Sequence, residues 1–580
     1  MLQVLLAIAF FYSSIFNHPA FAGFFFGRFV MRDYVKVSSY EGRKGEIRRV
    51  VLLYSGGLDT SVMLKWIQDE YQAEVIALTI DIGQQADDLN AIREKALKLG
   101  AVKAYVIDAK KEFAYHYLAK GIKANARYQG DYHLATPLGR PLLAKIAVDI
   151  AREESCDCIA HGCTGKGNDQ VRIEGTILTL APEMKVIAPV REWGMGRDEE
   201  LEYARIHNIP VKQTVDCPYS YDDNMWGISA EGGEIENPAL IPNLPAILQI
   251  CKTIENTPHT SENIKIGFLR GLPVQLNGED LDLPSIIFKL NALGAEHGVG
   301  VTHHLEDRVV GLKVRGVYEA PAASLIIRAH ETLEKFVCTR QENEFKAQID
   351  QKWGYLCYSA LWHEPLMEDL NAFIDKVNEK VTGVVTMKLF KGRADAVAVD
   401  TPNSIFDEKL ATFMKSNAFN QNASAGFTEI YTMQMRLSQE KERYALVSVG
   451  GDANKEKFAP LIAALQKQGY MIFATSGTHA HLIKHNIKAV LVHKVSEENM
   501  KPNLTDLLKQ NRFDLIVNVA SPENNNSEVR DGKQIRHWSV LNNVTLISEF
   551  DVLQSTLERM AKSGKGISAN ATDARKPALL

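Results

Sequence analysis

The sequence predicts an α/β protein made of a doubly wound parallel sheet, an α+β region and a compact α/β unit toward the C-terminus. Three observations predict it. From Arg48 to about Val211, short apolar runs alternate with helix-patterned segments, the rhythm of repeated βαβ units. From about Asp216 to Gln439 that rhythm is lost, and loops such as Asn243-Leu244-Pro245 and Thr401-Pro402-Asn403 punctuate a mixed pattern. Near Arg443 the alternation resumes. At 580 residues the chain is too long for one hydrophobic core, so several domains are expected.

In the first region Val50–Leu53 reads as a buried strand, followed by a helix from about Ser61 to Glu70 and the strand Val75–Ile80. A helix over roughly Leu89–Leu99 leads to a strand at Ala104–Asp108, a long helical stretch, a helix over Pro141–Glu154 and a strand at Cys158–His161. In such a sheet, ligands gather beyond the carboxyl ends of the strands. The middle region shows aromatic-rich loops at 216–243 and a helix over Leu283–His297. The last region reads as strand Tyr444–Val449, helix Lys455–Gln468, strand Met471–Ala474 and helix Thr478–His485. Apolar runs at Val490–His493, Leu515–Val519 and Val544–Ile547 complete it, and a small, polar tail follows from Ser568.

A net charge of −5 and a pI near 6.4 give no electrostatic case for nucleic-acid binding. Seven cysteines at irregular spacing argue against a disulfide framework and for a reducing compartment. Cys156 and Cys158 form the only close pair; the apolar Ile159-Ala160 beside them makes them buried strand thiols rather than zinc ligands. Residues 1–22 are strongly apolar and end in Ala20-Phe21-Ala22, the form of a signal-peptide cleavage site. No Lys or Arg precedes Arg28, so the basic start of a signal peptide is missing. Met31 is therefore read as the functional start, and residues 1–47 as an extension outside the fold.

The stretch Tyr54-Ser55-Gly56-Gly57-Leu58-Asp59-Thr60-Ser61 links the first strand to the first helix. Gly56 and Gly57 let the backbone approach a ligand where a Cβ would intrude. Helix-start N–H groups and the hydroxyls of Ser55, Thr60 and Ser61 suit a phosphate. A Walker A loop is excluded because its Gly-Lys-Ser/Thr ending is absent. The string resembles the pyrophosphate loop of enzymes that split ATP between its α- and β-phosphates.

A second loop reads His161-Gly162-Cys163-Thr164-Gly165-Lys166-Gly167-Asn168-Asp169-Gln170-Val171-Arg172. Arg172 lies three residues past Asp169 and shares its face if a helix begins there. An Arg fork matches a carboxylate and Asp169 can take an ammonium, so the cluster suits an amino-acid zwitterion.

Together these loops resemble argininosuccinate synthase. Further strings agree: Asp81-Ile82-Gly83-Gln84, Thr136-Pro137-Leu138-Gly139-Arg140-Pro141, Val186-Ile187-Ala188-Pro189, Ser220-Tyr221-Asp222-Asp223-Asn224 and Gly311 to Glu319. The resemblance covers roughly residues 48–435. It implies that Leu53, Tyr54, Ser55, Gly56, Gly57, Leu58, Asp59, Thr60 and Ser61 hold ATP, with Ile80 at the adenine and Gly162 near the nucleotide. It implies that Thr164, Asn168 and Asp169 bind aspartate. Tyr132, Asn168, Arg172, Ser220, Ser229, Glu306 and Tyr318 would bind citrulline. Pro137 stands where many relatives have a serine touching citrulline, so either Thr136 takes over that role or no residue does. On composition alone Glu306 would be part of a solvated charged run. The implied chemistry is adenylation of citrulline, then attack by aspartate, with Mg²⁺ on the phosphates; Asp59, Asp169, Arg172 and Asp222 are the expected catalytic groups, and no general base is evident. A cytoplasmic homotetramer is expected, with no membrane or nucleic-acid partner.

Residues 444–560 lie outside that family. Tyr444 to Val449, Ala474-Thr475-Ser476-Gly477-Thr478 and His493-Lys494-Val495 resemble a methylglyoxal synthase-like domain, nearest to the regulatory domain of carbamoyl-phosphate synthetase. Thr475, Ser476, Gly477 and Thr478 sit between a strand and a helix, with Lys455 and Lys494 adding positive charge: a seat for a nucleotide or ornithine-like effector, or simply a helix cap. The acid of an active methylglyoxal synthase is not evident after Leu515–Val519, so a regulatory module is expected. The expected domains are 48–212 (nucleotide-binding), 213–440 (synthetase and multimerisation) and 441–565 (methylglyoxal synthase-like), with a tail at 566–580. The competing readings are another pyrophosphate-loop adenylating ligase and an inactive nucleotide-sensing homologue.

Overall fold

The structure, a computed structural model, describes residues 45–85, 88–210, 218–412, 419–438, 442–495, 497, 499–510, 512–521 and 526–563. The expectations for residues 1–44, the tail from 564 and the Pro522-Glu523 segment lie outside those residues. The chain folds as two compact units divided between residues 413 and 414.

The first unit opens with strand β1 (Arg49–Leu53), helix α1 (Leu58–Tyr71), β2 (Glu74–Asp81), α2 (Leu89–Lys98) and β3 (Lys103–Asp108). Helix α3 (Ala135–Glu153), β4 (Cys158–Ala160), α4 (Asp169–Leu180), β5 (Lys185–Ile187) and α5 (Arg197–Ile206) follow. The five strands form a parallel sheet in the order β3-β2-β1-β4-β5. Alternation along β1 divides its residues between two cores. Val50 and Leu52 pack with Met63, Leu64 and Ile67 of α1, while Val51 packs with Leu142 and Ile146 of α3. Strand order reverses between β1 and β4, so a crevice opens beyond their carboxyl ends. Both sequence loops leave those ends.

Two antiparallel sheets follow. The first joins β6 (Tyr219–Asn224), β7 (Gly227–Gly232), β11 (Val301–Asp307) and β12 (Lys313–Glu319) in the order β11-β12-β7-β6. Its register sets Asp222 opposite Ser229, and Ser229 opposite Tyr318. The second joins β8 (Glu262–Leu269), β9 (Leu272–Leu276), β10 (Glu279–Asp280), β13 (Gly383–Phe390) and β14 (Arg393–Asp400) in the order β10-β9-β8-β13-β14. Helices α6 (Leu283–Glu296), α7 (Pro321–Val337), α8 (Arg340–Tyr358) and α9 (Pro365–Asn378) complete the unit.

The second unit includes α10 (Ala423–Tyr431) and α11 (Met433–Ser438), which carry the exposed residues Phe427, Ile430, Tyr431 and Leu437. Beyond them come β15 (Arg443–Val449), α12 (Asp452–Lys467), β16 (Tyr470–Thr475), α13 (Ser476–Lys484), β17 (Val490–Val492) and α14 (Leu504–Lys509). Strand β18 (Leu515–Val519), α15 (Asn526–Leu541), β19 (Thr545–Ile547) and α16 (Phe550–Ser563) close the chain's described part. The parallel order β17-β16-β15-β18-β19 repeats the topology of the first sheet. Again alternate residues divide, Ala445, Val447 and Val449 facing α12 while Leu446 packs with Phe473 and Phe513.

Among the boundaries that differ from expectation, two lie next to the site. Helix α1 begins at Leu58, three residues before the predicted Ser61, and Ser61 Oγ donates to Gly57 O at 2.6 Å inside its first turn. Helix α3 begins at Ala135, with Pro141 in its interior rather than at its start. Proline favours the first turn of a helix. Burial of Leu138, Leu142 and Ala144 in the core carries the helix through it instead.

Candidate active site

The β1–α1 loop is held from beneath. Tyr54 N donates to Leu78 O at 2.9 Å, Thr79 Oγ1 donates to Tyr54 O at 2.8 Å, and Lys95 Nζ donates to Gly56 O at 2.8 Å. Gly56 has φ +80°, and a Cβ there would lie 2.9 Å from Ile92 Cγ2, so conformation and space both require glycine. Above the loop is a cavity of about 810 Å³. Leu53, Tyr54, Ser55, Gly56, Gly57 and Ile80 line it, as do Lys95, Lys98, Arg140 and Asp222.

Other expected nucleotide contacts sit elsewhere. Leu58 packs into a small core with Val62 and Ala204. Ser61 is fully buried beneath the loop, hydrogen-bonded to Tyr54 OH at 3.1 Å. Thr60 Oγ1 pairs with Ser55 Oγ at 3.1 Å. Gly162 lies against α1, where a Cβ would be 2.6 Å from Met63 Cε. Asp59 is exposed in the first turn of α1 beside Glu200 of α5. Burial first, then repulsion by Asp59, pushes the Glu200 carboxyl up to about 8.

The β4–α4 loop meets this cavity through Arg140 of α3. Its Nε donates to Asp169 Oδ2 at 2.9 Å and its Nη2 binds Asp222 Oδ2, while Thr136 Oγ1 donates to the same Asp222 oxygen at 3.0 Å. Arg172 Nη1 donates to Asp169 Oδ1 at 2.8 Å. Both oxygens of Asp169 are thus held by guanidinium groups, and the ammonium seat expected there is already filled. Burial raises the Asp169 carboxyl, but Arg140 and Arg172 outweigh it and hold it below the ordinary range. Asp222, with burial dominant, is raised instead.

Arg172 is buried, with Nε and Nη2 both donating to Tyr358 O at 3.1 and 3.0 Å and its guanidinium 4.9 Å from the Tyr358 ring centroid. Asn168 Nδ2 donates to Tyr358 OH at 2.8 Å, and its Oδ1 accepts from Val309 N at 2.9 Å. Tyr132 and Tyr318 are buried side by side, ring centroids 4.4 Å apart. Glu306 is buried at 5% exposure with Oε2 lacking any hydrogen-bond partner, and its Oε1 lies 3.6 Å from Arg308 Nε. Burial raises its carboxyl, against the pull of Arg172 and Arg308. Ser229 Oγ donates to Asp222 O at 3.3 Å, whereas Ser220 and Thr164 are exposed. Sequence reasoning missed Arg140, Tyr358 and Glu200. Arg140 was in view within a matched string; Tyr358 arrives from α8, far along the chain, and left no local signal.

Three family models match the chain. Residues 49–210 match the Arginosuccinate synthase N-terminal HUP domain, 219–438 the Arginosuccinate synthase C-terminal domain, and 457–548 the MGS-like domain. The argininosuccinate synthase of Pyrococcus furiosus is 49% identical over 390 residues, covering 67% of this chain and 94% of that protein. Those of Symbiobacterium thermophilum and Oceanobacillus iheyensis are each 46% identical, covering 97% and 93% of their lengths. The chain belongs to the argininosuccinate synthase family. Its argininosuccinate synthase portion precedes a separate methylglyoxal synthase-like portion, as the sequence motifs predict, and no described helix is long and apolar enough to cross a membrane.

In that C-terminal portion, the expected effector residues cluster at the start of α13. Thr475 Oγ1 is 3.2 Å from Ser448 Oγ, and Thr478 Oγ1 accepts from Val449 N at 2.9 Å. Ser476 Oγ donates to Glu497 Oε2 at 3.3 Å, which also accepts Lys494 N at 2.8 Å. Lys455 Nζ pairs with Asp452 at 2.9 Å, and a Cβ on Gly477 would lie 3.6 Å from that Nζ.

Proposed function

We propose the following division of labour for an ATP-dependent ligase that joins citrulline and aspartate into argininosuccinate, releasing AMP and pyrophosphate. ATP occupies the cavity over Ser55, Gly56 and Gly57, its phosphates facing Lys95 and Lys98. The citrulline ureido oxygen attacks the α-phosphorus, forming a P–O bond as the bond to pyrophosphate breaks. The aspartate amine then attacks the activated ureido carbon, and AMP departs with the former ureido oxygen. The observation that carries this reading is Arg140, which lines the nucleotide cavity while binding Asp169 of the second loop and Asp222. One guanidinium therefore links the second loop to the cavity above the first. Most of the rate comes from positioning and from charge stabilisation around the phosphates.

Glu306 takes the citrulline ammonium with its unpartnered oxygen, walled by Tyr132 and Tyr318. Arg172 keeps N–H donors beyond those given to Tyr358 and Asp169, and these meet a substrate carboxylate. Asn168 and Thr164 add polar contacts, as do Ser220 and Ser229. Asp169 holds Arg140 and Arg172 in place and thereby shapes the aspartate subsite. Mg²⁺, arriving on the triphosphate, would neutralise developing negative charge. Asp59, exposed beside the loop with Glu200 next to it, offers the hard oxygen atoms such an ion accepts. The exposed apolar residues of α10 and α11 support assembly into a homotetramer, and a cytoplasmic setting fits the free thiols of the described cysteines. The methylglyoxal synthase-like portion serves as a regulatory module for an anionic effector at the Ser476–Thr478 turn.

The decisive assay measures pyrophosphate and AMP separately. Pyrophosphate release should require citrulline, and argininosuccinate formation should require aspartate. Pyrophosphate release independent of citrulline would overturn the assignment. Asp169→Ala should raise the KM for aspartate far more than that for ATP; equal effects would refute its role.

A further inference from the structure

The second unit carries a side-chain cluster that the ligase chemistry does not use. Helix α13 is C-capped by His485, so His481 and His485 lie four residues apart on one face. Glu456 of α12 reaches across, with Oε2 3.3 Å from Nε2 of each histidine. The two rings are 4.6 Å apart between centroids, and the three candidate ligand atoms all lie within 4.8 Å of one another. His481 Nε2 is shielded from solvent and makes no hydrogen bond, although Glu456 Oε2 lies 3.3 Å away. A buried ring nitrogen left in that state is costly, and a metal ion relieves it.

The spacing has a specific meaning. Tetrahedral bonds of about 2.0–2.1 Å to imidazole nitrogen and carboxylate oxygen set ligand atoms about 3.3 Å apart. Both Glu456–histidine edges have that length. Glu456 and His485 are exposed, at 67% and 39% of their side chains, which leaves an open side for water. Imidazole with one carboxylate suits zinc, cobalt, nickel or copper over magnesium or calcium. The cluster also sits at the last turn of α13, where the helix dipole favours a cation.

We propose that Glu456, His481 and His485 form a site for a zinc-class divalent transition ion that clamps α13 to α12. The ion lies at the opposite end of α13 from the Ser476–Thr478 turn and binds independently of any effector there. The site escaped sequence reasoning because its carboxylate is on a different helix, 25 positions before the first histidine.

The test titrates the full chain with Zn²⁺ by calorimetry in Mg²⁺-containing buffer, and with Co²⁺ by visible absorption, whose band intensity reports tetrahedral nitrogen and oxygen ligation. The His481→Ala/His485→Ala protein serves as reference. The expected result is one more equivalent of bound Zn²⁺ in the native protein, tetrahedral Co²⁺ bands that the double variant lacks, and a Zn²⁺-induced rise in Tm confined to the native protein. Glu456→Gln, at an exposed position that leaves the fold intact, should weaken Zn²⁺ binding tenfold or more. Equal stoichiometry and affinity in the native protein and both variants would overturn the proposal, as would no binding to the native protein at 100-fold molar excess of Zn²⁺.

Discussion

Glu306 owes its place to the two-residue repeat of β11, which turns His304 and Glu306 inward while His303, Leu305 and Asp307 face out. A buried carboxylate with a free oxygen is unfavourable unless a substrate cation meets it. Glu306→Gln is isosteric and keeps the fold, but loses a charge-assisted bond worth roughly 1.5–3 kcal/mol. KM for citrulline should rise about tenfold or more while KM for ATP changes less than twofold, as steady-state kinetics will read. Glu200 gives a pH signature. Burial, then Asp59, pushes its folded carboxyl up to about 8 from an ordinary 4.5, so between those values the folded state holds a proton that the unfolded state has lost. Stability is therefore lost as pH rises through that window, and Glu200→Gln should flatten this part of the profile in urea unfolding from pH 5 to 8.5. Lys346 is fully buried, 2.8 Å from both Glu334 and Asp350, with Nζ also donating to Lys123 O. Lys346→Met strands both carboxylates and should cost about 3–5 kcal/mol by denaturant melts.

At the scale of elements, the β1–α1 junction joins local and distant constraints. The left-handed Gly56 is dictated by the turn, while Ile92 of α2 closes the space from outside it. Gly56→Ala should destabilise the first unit by more than about 1 kcal/mol and abolish detectable ATP binding, read by urea melts and by calorimetry with ATP. The strands and the loop were legible because short apolar runs, paired glycines and hydroxyls are local signals. The start of α1 was misplaced because small residues of the loop serve as its first turn. The helix through Pro141 was misplaced because burial overrode a local preference. The same limit applied to Ser61, which reads as a phosphate ligand but folds under the loop, its hydroxyl occupied by Gly57 O and Tyr54 OH.

At the scale of the molecule, the two parallel sheets share one strand order and have separate cores, so each is built to bury its own apolar faces. A chain ending at Ser438 should therefore keep citrulline-dependent pyrophosphate release within about threefold of the full chain, since the cavity and Arg140 network draw on none of the removed residues. Mass in solution, compared for the two lengths, reads whether the exposed face of α10 and α11 assembles copies without the C-terminal portion. Complete loss of activity on truncation would show that the C-terminal portion supports the catalytic unit.

The sequence alone determined the βαβ rhythm, the pyrophosphate loop, the paired second loop and the resemblance to argininosuccinate synthase, because each is written in neighbouring residues. Only the tertiary structure decided what those residues touch. Arg140 of α3, Asp169 at the start of α4 and Asp222 of β6 come from three separate segments and meet only in the folded chain. Glu306 is buried and not a solvated charge because the alternation of β11 turns it inward. Charge pairing and desolvation depend on three-dimensional neighbours, which no local pattern encodes.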